Sequence, residues 1–368
     1  MRILVFNWRD IKHSEAGGAE VNIHEQAKRW VEMGHLVTLF TSRPGGQLSR
    51  DTIDGIEVFR AGGRYSVYPT ALMVYLLKLR KRAEVVLDIE NGIPFFTPLF
   101  SRKPRVLLVH HLHQDQFLVE MGPLMGRFGR FLEWCVVPIL YMNSKWIAVS
   151  ESTAKQKREA LLRGIRLDIE TIHCGLDHST YRPGGTKFDR PTILYLGRVK
   201  AYKRLDLLVS MMDRVLENVP DAELLIAGTG DALDDVKAAA SMAASTGSIR
   251  FLGFVSEQEK VDLLRRSWVM ATPSMNEGWG MTVLEANSCG TPAVAFRVQG
   301  LNESIKSGES GLLADSDDQF IEHLCGILSD SNLRDALAQG AVAWAAGFDW
   351  DTSARLMLAA LSATANKT

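Results

Sequence analysis

The chain runs to 368 residues, 46% of them hydrophobic and 23% charged, and carries a formal net charge of −1. That length exceeds what one hydrophobic core usually serves and points to two soluble domains. The even charge balance offers no basic excess for phosphates, so nucleic acid is not an expected partner; and Cys135, Cys174, Cys289 and Cys325, far apart and without a CxxC pair, suit reduced thiols in a cytoplasmic protein rather than a disulfide framework or a cysteine zinc site.

The opening run RILVFN reads as a first strand, too short before Asn7 for the apolar core of a signal peptide. No uncharged stretch approaches the length of a bilayer span, so an integral membrane protein is not expected. A loop ending in Gly17-Gly18 leads to a helix, AEVNIHEQAKRWVEM, which Gly34 stops. HLVTLFT, IEVFR, EVVLDI, RVLLVH and KWIAVS follow as strand candidates, with helices over about Tyr68–Arg82 and Leu124–Met142. Strands alternating with helices mean a mainly parallel sheet covered on both faces. Turn formers cluster from Cys174 to Pro191, and the alternation then restarts with TILYLG, AELLIAG, IRFLG, VMATP and PAVAF. The expected architecture is α/β: two Rossmann-like doubly wound domains, about residues 1–178 and 185–345, facing a cleft. The amphipathic tail at 349–368 is expected to be a terminal helix.

Candidate chemistry gathers behind the strands of the second half. After VMATP, the stretch NEGWGMTVLEANSCGTP places Glu277 and Glu285 on either side of a loop-to-helix junction. A helix start needing only a cap would show Ser, Thr, Asp or Asn. Gly278 and Gly280 around Trp279 instead permit close backbone approach, and the amides of Gly280, Met281 and Thr282 suit a phosphate or sugar hydroxyls. Glu285 falls on the face of Met281 one turn on, where a carboxylate can hold a vicinal diol such as a ribose; its plain alternative is a solvated helix glutamate. After TILYLG, Arg198 and Lys203 are placed to neutralise a diphosphate, the alternative being a solvated basic loop, the better reading for Lys200 and Arg204.

Gly17-Gly18, the linker HCGLDHSTYRP, the GR-x4-K of Gly197–Lys203, EGWGMTVLE from Glu277 to Glu285 and FDW at Phe348–Trp350 lie along nearly the whole chain. In that order they resemble the retaining family-four glycosyltransferases of the GT-B fold, which use nucleotide-sugar donors. The resemblance implies an acceptor-binding first domain, a donor-binding second domain and a last helix that returns to the first. It implies that Glu285 holds the donor ribose and Glu277 the sugar hydroxyls near the anomeric carbon. Gly280, Met281 and Thr282 would meet sugar and phosphate, Arg198 and Lys203 the diphosphate, and Gly18, after Gly17, the distal phosphate. Phe254-Val255 falls where the family contacts the nucleobase. His110, at the end of PRVLLVH, falls at the family's first-domain histidine, with His111 and His113 crowded beside it in HHLHQDQF.

Two rivals use some of the same residues. His111, His113 and Asp115 resemble part of a binuclear zinc hydrolase signature, but Gln116 stands where the last histidine belongs. A nicotinamide enzyme would need an early GxGxxG, and GTGDAL at Gly228 lacks the third glycine. A non-catalytic sugar-binding module of the same fold fits less well with Glu277, Arg198 and Lys203 all present. The sequence therefore leads to a sugar transferase that needs no metal, since Arg198, Lys203 and helix amides can meet the leaving diphosphate; Asp349-Trp350-Asp351 is a DxD, but it opens the tail helix. The acceptor is expected to be a sugar or a lipid-linked sugar in polysaccharide or glycolipid assembly. The basic-aliphatic segments Leu72–Arg82 and Arg127–Leu140 fit peripheral contact with the inner membrane face, or equally core helices with basic ends.

Overall fold

The computed structural model describes residues 1–113, 115–159 and 167–366, without the side chains of 115, 116 and 119–121. Two compact units divide these residues. Unit 1 takes Met1–Gly175 and Trp350–Thr368, and unit 2 takes Leu176–Asp349.

Unit 1 holds β1 (Arg2–Phe6), β2 (Leu36–Thr41), β3 (Arg50–Ile53), β4 (Ile56–Arg60), β5 (Val85–Asn91), β6 (Arg105–His111), β7 (Lys145–Ala148) and β8 (Ile169–Thr171). They form one sheet in the order β3-β4-β2-β1-β5-β6-β7-β8. Every pairing is parallel except β3 with β4, an antiparallel edge. The apolar runs read from the sequence are the central strands, buried on both sides as a parallel sheet requires. Helix α1 (Gly18–Glu32) crosses from β1 to β2, and α2 (Val67–Val74) begins the crossover from β4 to β5. The remaining helices of this stretch are α3 (Asp115–Phe131), α4 (Val137–Leu140) and α5 (Glu151–Glu159).

Two expected continuous helices are broken. The Tyr68–Arg82 stretch leaves α2 for a π turn at Tyr75–Leu79 and a 3₁₀ turn at Arg80–Arg82. The Leu124–Met142 stretch belongs partly to α3, which Gly122 interrupts at φ 75° just before Pro123, and then passes through a π turn at Leu132–Val136 into α4. Pro138 removes an amide where the second stretch passes into α4, while the π turn of the first has no proline or glycine within it, so periodicity alone overstates both helices.

Unit 2 repeats the theme with β9 (Thr192–Leu196), β10 (Glu223–Ala227), β11 (Ile249–Gly253), β12 (Val269–Thr272), β13 (Ala293–Phe296) and β14 (Gly311–Ala314). The order is β11-β10-β9-β12-β13-β14, all parallel. Its helices are α6 (Leu205–Asn218), α7 (Leu233–Met242), α8 (Glu257–Arg266), α9 (Met281–Ser288), α10 (Leu301–Ser304), α11 (Asp317–Ser329) and α12 (Ser331–Ala345). Strand order reverses between β9 and β12, so the helices that follow them, α6 and α9, pack into different core clusters and a crevice opens at the strands' carboxyl ends.

The tail forms α13 (Trp350–Ala365), which packs in unit 1 against α1. Trp30 Nε1 donates to Ala354 O at 2.9 Å, Gln26 Nε2 to Ser353 Oγ at 3.0 Å, and Arg29 Nε meets Asp351 Oδ1 at 2.6 Å.

Candidate active site

The loops after β9 and β12 meet at the reversal point of the second sheet. Met275 N donates to Tyr202 O at 2.9 Å and Arg204 Nε to Pro273 O at 2.8 Å, tying the two loops together. Arg204 itself adopts a left-handed φ of 51°, an uncommon conformation held here by its surroundings. The sequence reading of Arg204 as a solvated residue is thus corrected: its guanidinium is a strut between loops.

The strut brings Lys203 onto Glu277. Lys203 Nζ donates to Glu277 Oε1, which also accepts from Ser274 Oγ at 2.8 Å. Burial disfavours the Lys203 ammonium, but the Glu277 carboxylate outweighs it and pushes the group above its ordinary range. An ammonium has three protons and Glu277 takes one, so donors remain for a ligand. Arg198 follows Gly197, and its backbone is pinned: its carbonyl accepts from Tyr195 Oη at 2.9 Å, and Val199 N donates to Thr229 O at 2.9 Å. Its guanidinium is exposed and has no ion-pair partner among the described residues. A Cβ at Gly228 would lie 1.8 Å from Gly197 O, so the GTG segment is a close-packing device between strand ends.

The glycines of the quoted stretch have a geometric cause. Gly280 precedes α9 at φ 91°, and a Cβ there would stand 2.8 Å from Leu301 Cδ2 and 2.9 Å from Ser304 Oγ. Opposite, a Cβ at Gly300 would lie 2.4 Å from Glu277 O. The loop is pressed against the start of α10, which fixes the amides of Gly280, Met281 and Thr282 at the head of α9. Gly278 lies in that loop. Trp279 sits between the two glycines of the candidate binding loop, but it is 3% exposed and meets Phe348 edge-on at 5.4 Å, so its ring is packing rather than a ligand contact.

Glu285 is buried, which sets aside a solvated helix glutamate. Lys260 Nζ donates to its Oε1 at 2.9 Å and to Tyr181 Oη at 2.6 Å, and Tyr181 Oη donates to Glu257. Burial pushes the Glu285 carboxyl up, against the pull of Lys260. Oε2 of Glu285 is buried with no hydrogen-bond partner, a vacancy that a ligand hydroxyl would satisfy. Glu257 also lines an open groove of about 910 Å³ with Leu252, Phe254, Val255, Val261 and Arg265. Phe254 is 83% exposed at the end of β11. The sequence reading missed Tyr181 and Lys260: Tyr181 lay inside the quoted linker, but Lys260 is one charge among several on α8 and gave no signal.

In unit 1, Gly17 caps α1, its amide donating to Glu20 Oε2 at 2.8 Å, and Gly18 is the first helical residue. His110 is 5% exposed on β6, 3.1 Å from Asn22 Nδ2 of α1. Asn22 Oδ1 accepts from Gln26 Nε2 at 2.9 Å, so Nδ2 faces the imidazole and His110 Nε2 must accept. The ring proton then sits on Nδ1, which has no partner. His111 and His113 stack at 4.1 Å, His113 stacks on Phe117 at 5.0 Å, and His113 N donates to Glu133 Oε1 at 2.8 Å. Among the described residues no three His, Cys, Asp or Glu side chains gather as a metal site; the side chain of Asp115, the third zinc candidate, lies outside the described residues.

Comparison with known proteins places this geometry. The model "Glycosyltransferase Family 4" matches residues 16–180 and "Glycosyl transferases group 1" matches residues 180–344. A D-inositol 3-phosphate glycosyltransferase of Corynebacterium urealyticum is 32% identical over 94% of this chain and 90% of its own length. The like-named protein of Kribbella flavida is 31% identical over 52% of this chain and 50% of its own. The chain thus spans about half the length of the first curated relatives it matches. Among solved structures, sucrose-phosphate synthase of Thermosynechococcus elongatus superposes with TM-score 0.80 at 17% identity, covering 96% of both chains. Anabaena HepE, in complex with UDP and glucose, gives 0.76 at 18%, covering 99% of this chain and 100% of its own. At these identities the structural likeness is one of fold. With parallel sheets in both units and family motifs in both halves, the chain belongs to the family-four glycosyltransferases of the GT-B fold.

Proposed function

We propose that the chain transfers a sugar from a nucleoside diphosphate donor to an acceptor, with retention at the anomeric carbon, unit 2 holding the donor and unit 1 the acceptor. The observation that carries this reading is the meeting of Lys203 and Glu277 at the reversal point of the second sheet, with Glu285 on the helix that follows. Lys203 and Arg198 supply charge for the diphosphate, and Glu277 faces the sugar hydroxyls. The buried, unpartnered Oε2 of Glu285 takes the ribose, while Phe254 and Val255 border the base. The vacant Nδ1–H of His110 is the donor that unit 1 offers the transferred sugar.

The leaving diphosphate gains charge, and preorganised cations and helix amides can stabilise it by several kcal/mol without a metal. The chain has two DxD triplets, Asp315-Ser316-Asp317 and Asp349-Trp350-Asp351. Asp315 pairs with Arg297, Ser316 caps α11 and Asp351 pairs with Arg29, so three of these six residues already have partners within the fold. Transfer is expected to continue in EDTA. Chelator-sensitive activity restored by zinc would refute the transferase reading in favour of a hydrolase.

The acceptor is assigned to polysaccharide or glycolipid assembly beside the membrane. No helix of the described residues is long and apolar enough to cross a membrane. Leu72, Met73, Leu76 and Leu77 are nevertheless exposed beside Lys78, Arg80, Lys81 and Arg82, and Leu124, Met125, Phe128 and Phe131 beside Arg127. Strand register puts both crossovers on one sheet face: α2 packs on Leu4, Phe6 and Val86, α4 on Leu107 and Val109, and Asp88, which pairs with both Phe6 and Leu107, bonds Tyr141. Apolar residues interleaved with cations suit an anionic lipid surface.

The deciding experiment is calorimetry on two variants. Glu285→Gln is expected to weaken bare nucleoside diphosphate on the order of 10- to 100-fold, the range for a charged hydrogen bond. Glu277→Gln is expected to lower turnover and leave that affinity nearly intact. Equal losses of diphosphate affinity would remove the division of labour.

A further inference from the structure

Three buried side chains, Asn22, Gln26 and Ser353, join His110 to the last helix, and their donors and acceptors match in one direction only. Ser353 Oγ on α13 donates to His173 O at 2.8 Å. A carbonyl only accepts and a hydroxyl has a single proton, so toward Gln26 on α1 the same oxygen must accept. It accepts from Gln26 Nε2 at 3.0 Å, and the second Nε2 proton goes to Asn22 Oδ1 at 2.9 Å. Asn22 is thereby turned with Nδ2 toward His110 Nε2, 3.1 Å away. Each group fixes the next, from a backbone carbonyl that cannot reverse to an imidazole that can.

The contribution of Ser353 emerges when the run is reversed. With both amides turned over, Gln26 Oε1 would accept from Asn22 Nδ2, and Asn22 Oδ1 would accept from a protonated His110 Nε2. Ser353 would then have to donate to Gln26 and give up His173 O. The contacts among Gln26, Asn22 and His110 survive in either direction, so only the hydroxyl bond to His173 O tells the two states apart. One buried partner left unmet corresponds to roughly a five- to 150-fold preference. Burial keeps the ring neutral near pH 7, so it carries one proton, on Nδ1 in the observed direction and on Nε2 in the reversed one. Nδ1 is buried with no partner among the described residues. Docking of α13 has no need of this polar run, since Trp30 on Ala354 and Arg29 on Asp351 already hold the helix.

We propose that Ser353 is a positioning residue that sets the tautomer of His110, acting from the last helix through Gln26 and Asn22 to keep the ring proton on Nδ1. The use of that Nδ1–H by the transferred sugar rests on the reading of unit 1 given above; the tautomer itself rests on the hydrogen bonds.

Ring-nitrogen NMR of the histidine-labelled full chain at pH 7 reads the tautomer directly, with the His110 signals identified by their loss in His110→Asn. The wild type is expected to show Nδ1–H alone. Ser353→Ala, and independently Gln26→Met, which keeps the length of the side chain and removes its amide, are expected to show both tautomers. Ser353→Thr, which keeps the hydroxyl, is expected to show Nδ1–H alone, and thermal melting verifies that each variant folds. Nε2–H in the wild type, or Nδ1–H alone in both Ser353→Ala and Gln26→Met, overturns the proposal. Release of UDP from UDP-glucose, the probe donor, is followed on the same samples. Its turnover is expected to fall with the fraction of Nδ1–H, about twofold where the two tautomers are equal, while UDP affinity stays unchanged. Mixed tautomers with undiminished turnover would overturn the role given to His110 in transfer and leave Ser353 as the group that sets its proton.

Discussion

His110 is a neutral imidazole by construction. Burial pushes its pKa down to about 4 from 6.5. The unfolded chain therefore takes up a proton first as pH falls, and the folded chain only near 4. Stability is fully present above 6.5, is lost as pH falls through that window and levels off below it, the total being up to about 3 kcal/mol. Denaturation by urea at pH 7 and pH 4.5 is expected to show a smaller decline for His110→Asn than for the wild type; equal declines would show that other groups carry the pH dependence. Lys203 and Glu277 form a part-buried pair with 15% and 16% of their side chains exposed. Removing one partner leaves the other uncompensated, which for buried pairs costs about 3–5 kcal/mol and less where water still reaches. Glu277→Leu is thus expected to lower the melting temperature more than the double variant Lys203→Met/Glu277→Leu. The sequence singled out Lys203 and Glu277, but not that they are partners 74 positions apart. Nor could it show Lys260 on Glu285 or Asn22 on His110, since such pairings come from sheet topology rather than local pattern.

At the level of elements, the central strands were legible because a parallel sheet buried on both faces writes itself as continuous apolar runs. The short strands were not. Ile169–Thr171 has three residues, Arg50–Ile53 is largely polar, and Gly311–Ala314 begins on a glycine; each is too brief to set a period. The glycine-rich start of α9 was legible as an anomaly, yet its cause is tertiary, in Leu301 and Ser304. Gly280→Ala places a side chain at positive φ against both, and is expected to destabilise unit 2 by more than about 1 kcal/mol and to weaken donor binding through displaced amides. Binding equal to the wild type would show that the amides do not touch the ligand. Within α13, Met357 and Leu361 are fully buried. Met357→Ala is expected to cost about 2–5 kcal/mol in chemical denaturation, against a few tenths for exposed Leu356→Ala.

At the scale of the whole molecule, the exposed apolar-basic face of unit 1 makes a measurable claim: cosedimentation with anionic liposomes at low salt and release as salt rises past the screening range. Absence of binding at low salt would favour a soluble acceptor. A different consequence follows from α13. Because unit 1 is built from residues 1–175 and 350–368, with the whole of unit 2 between them, synthesis on the ribosome delivers its last piece only after the whole of unit 2. Unit 2 is contiguous and can close while the chain still grows, whereas Trp30 and its neighbours on α1 wait for Ala354. The first domain made is the last one finished. At roughly 5–20 residues per second, the 174 residues from Leu176 to Asp349 hold that apolar seam open for about ten seconds or more, long enough for a chaperone to find it. Chains arrested before residue 350 should therefore resist protease in unit 2 while remaining cleavable in unit 1.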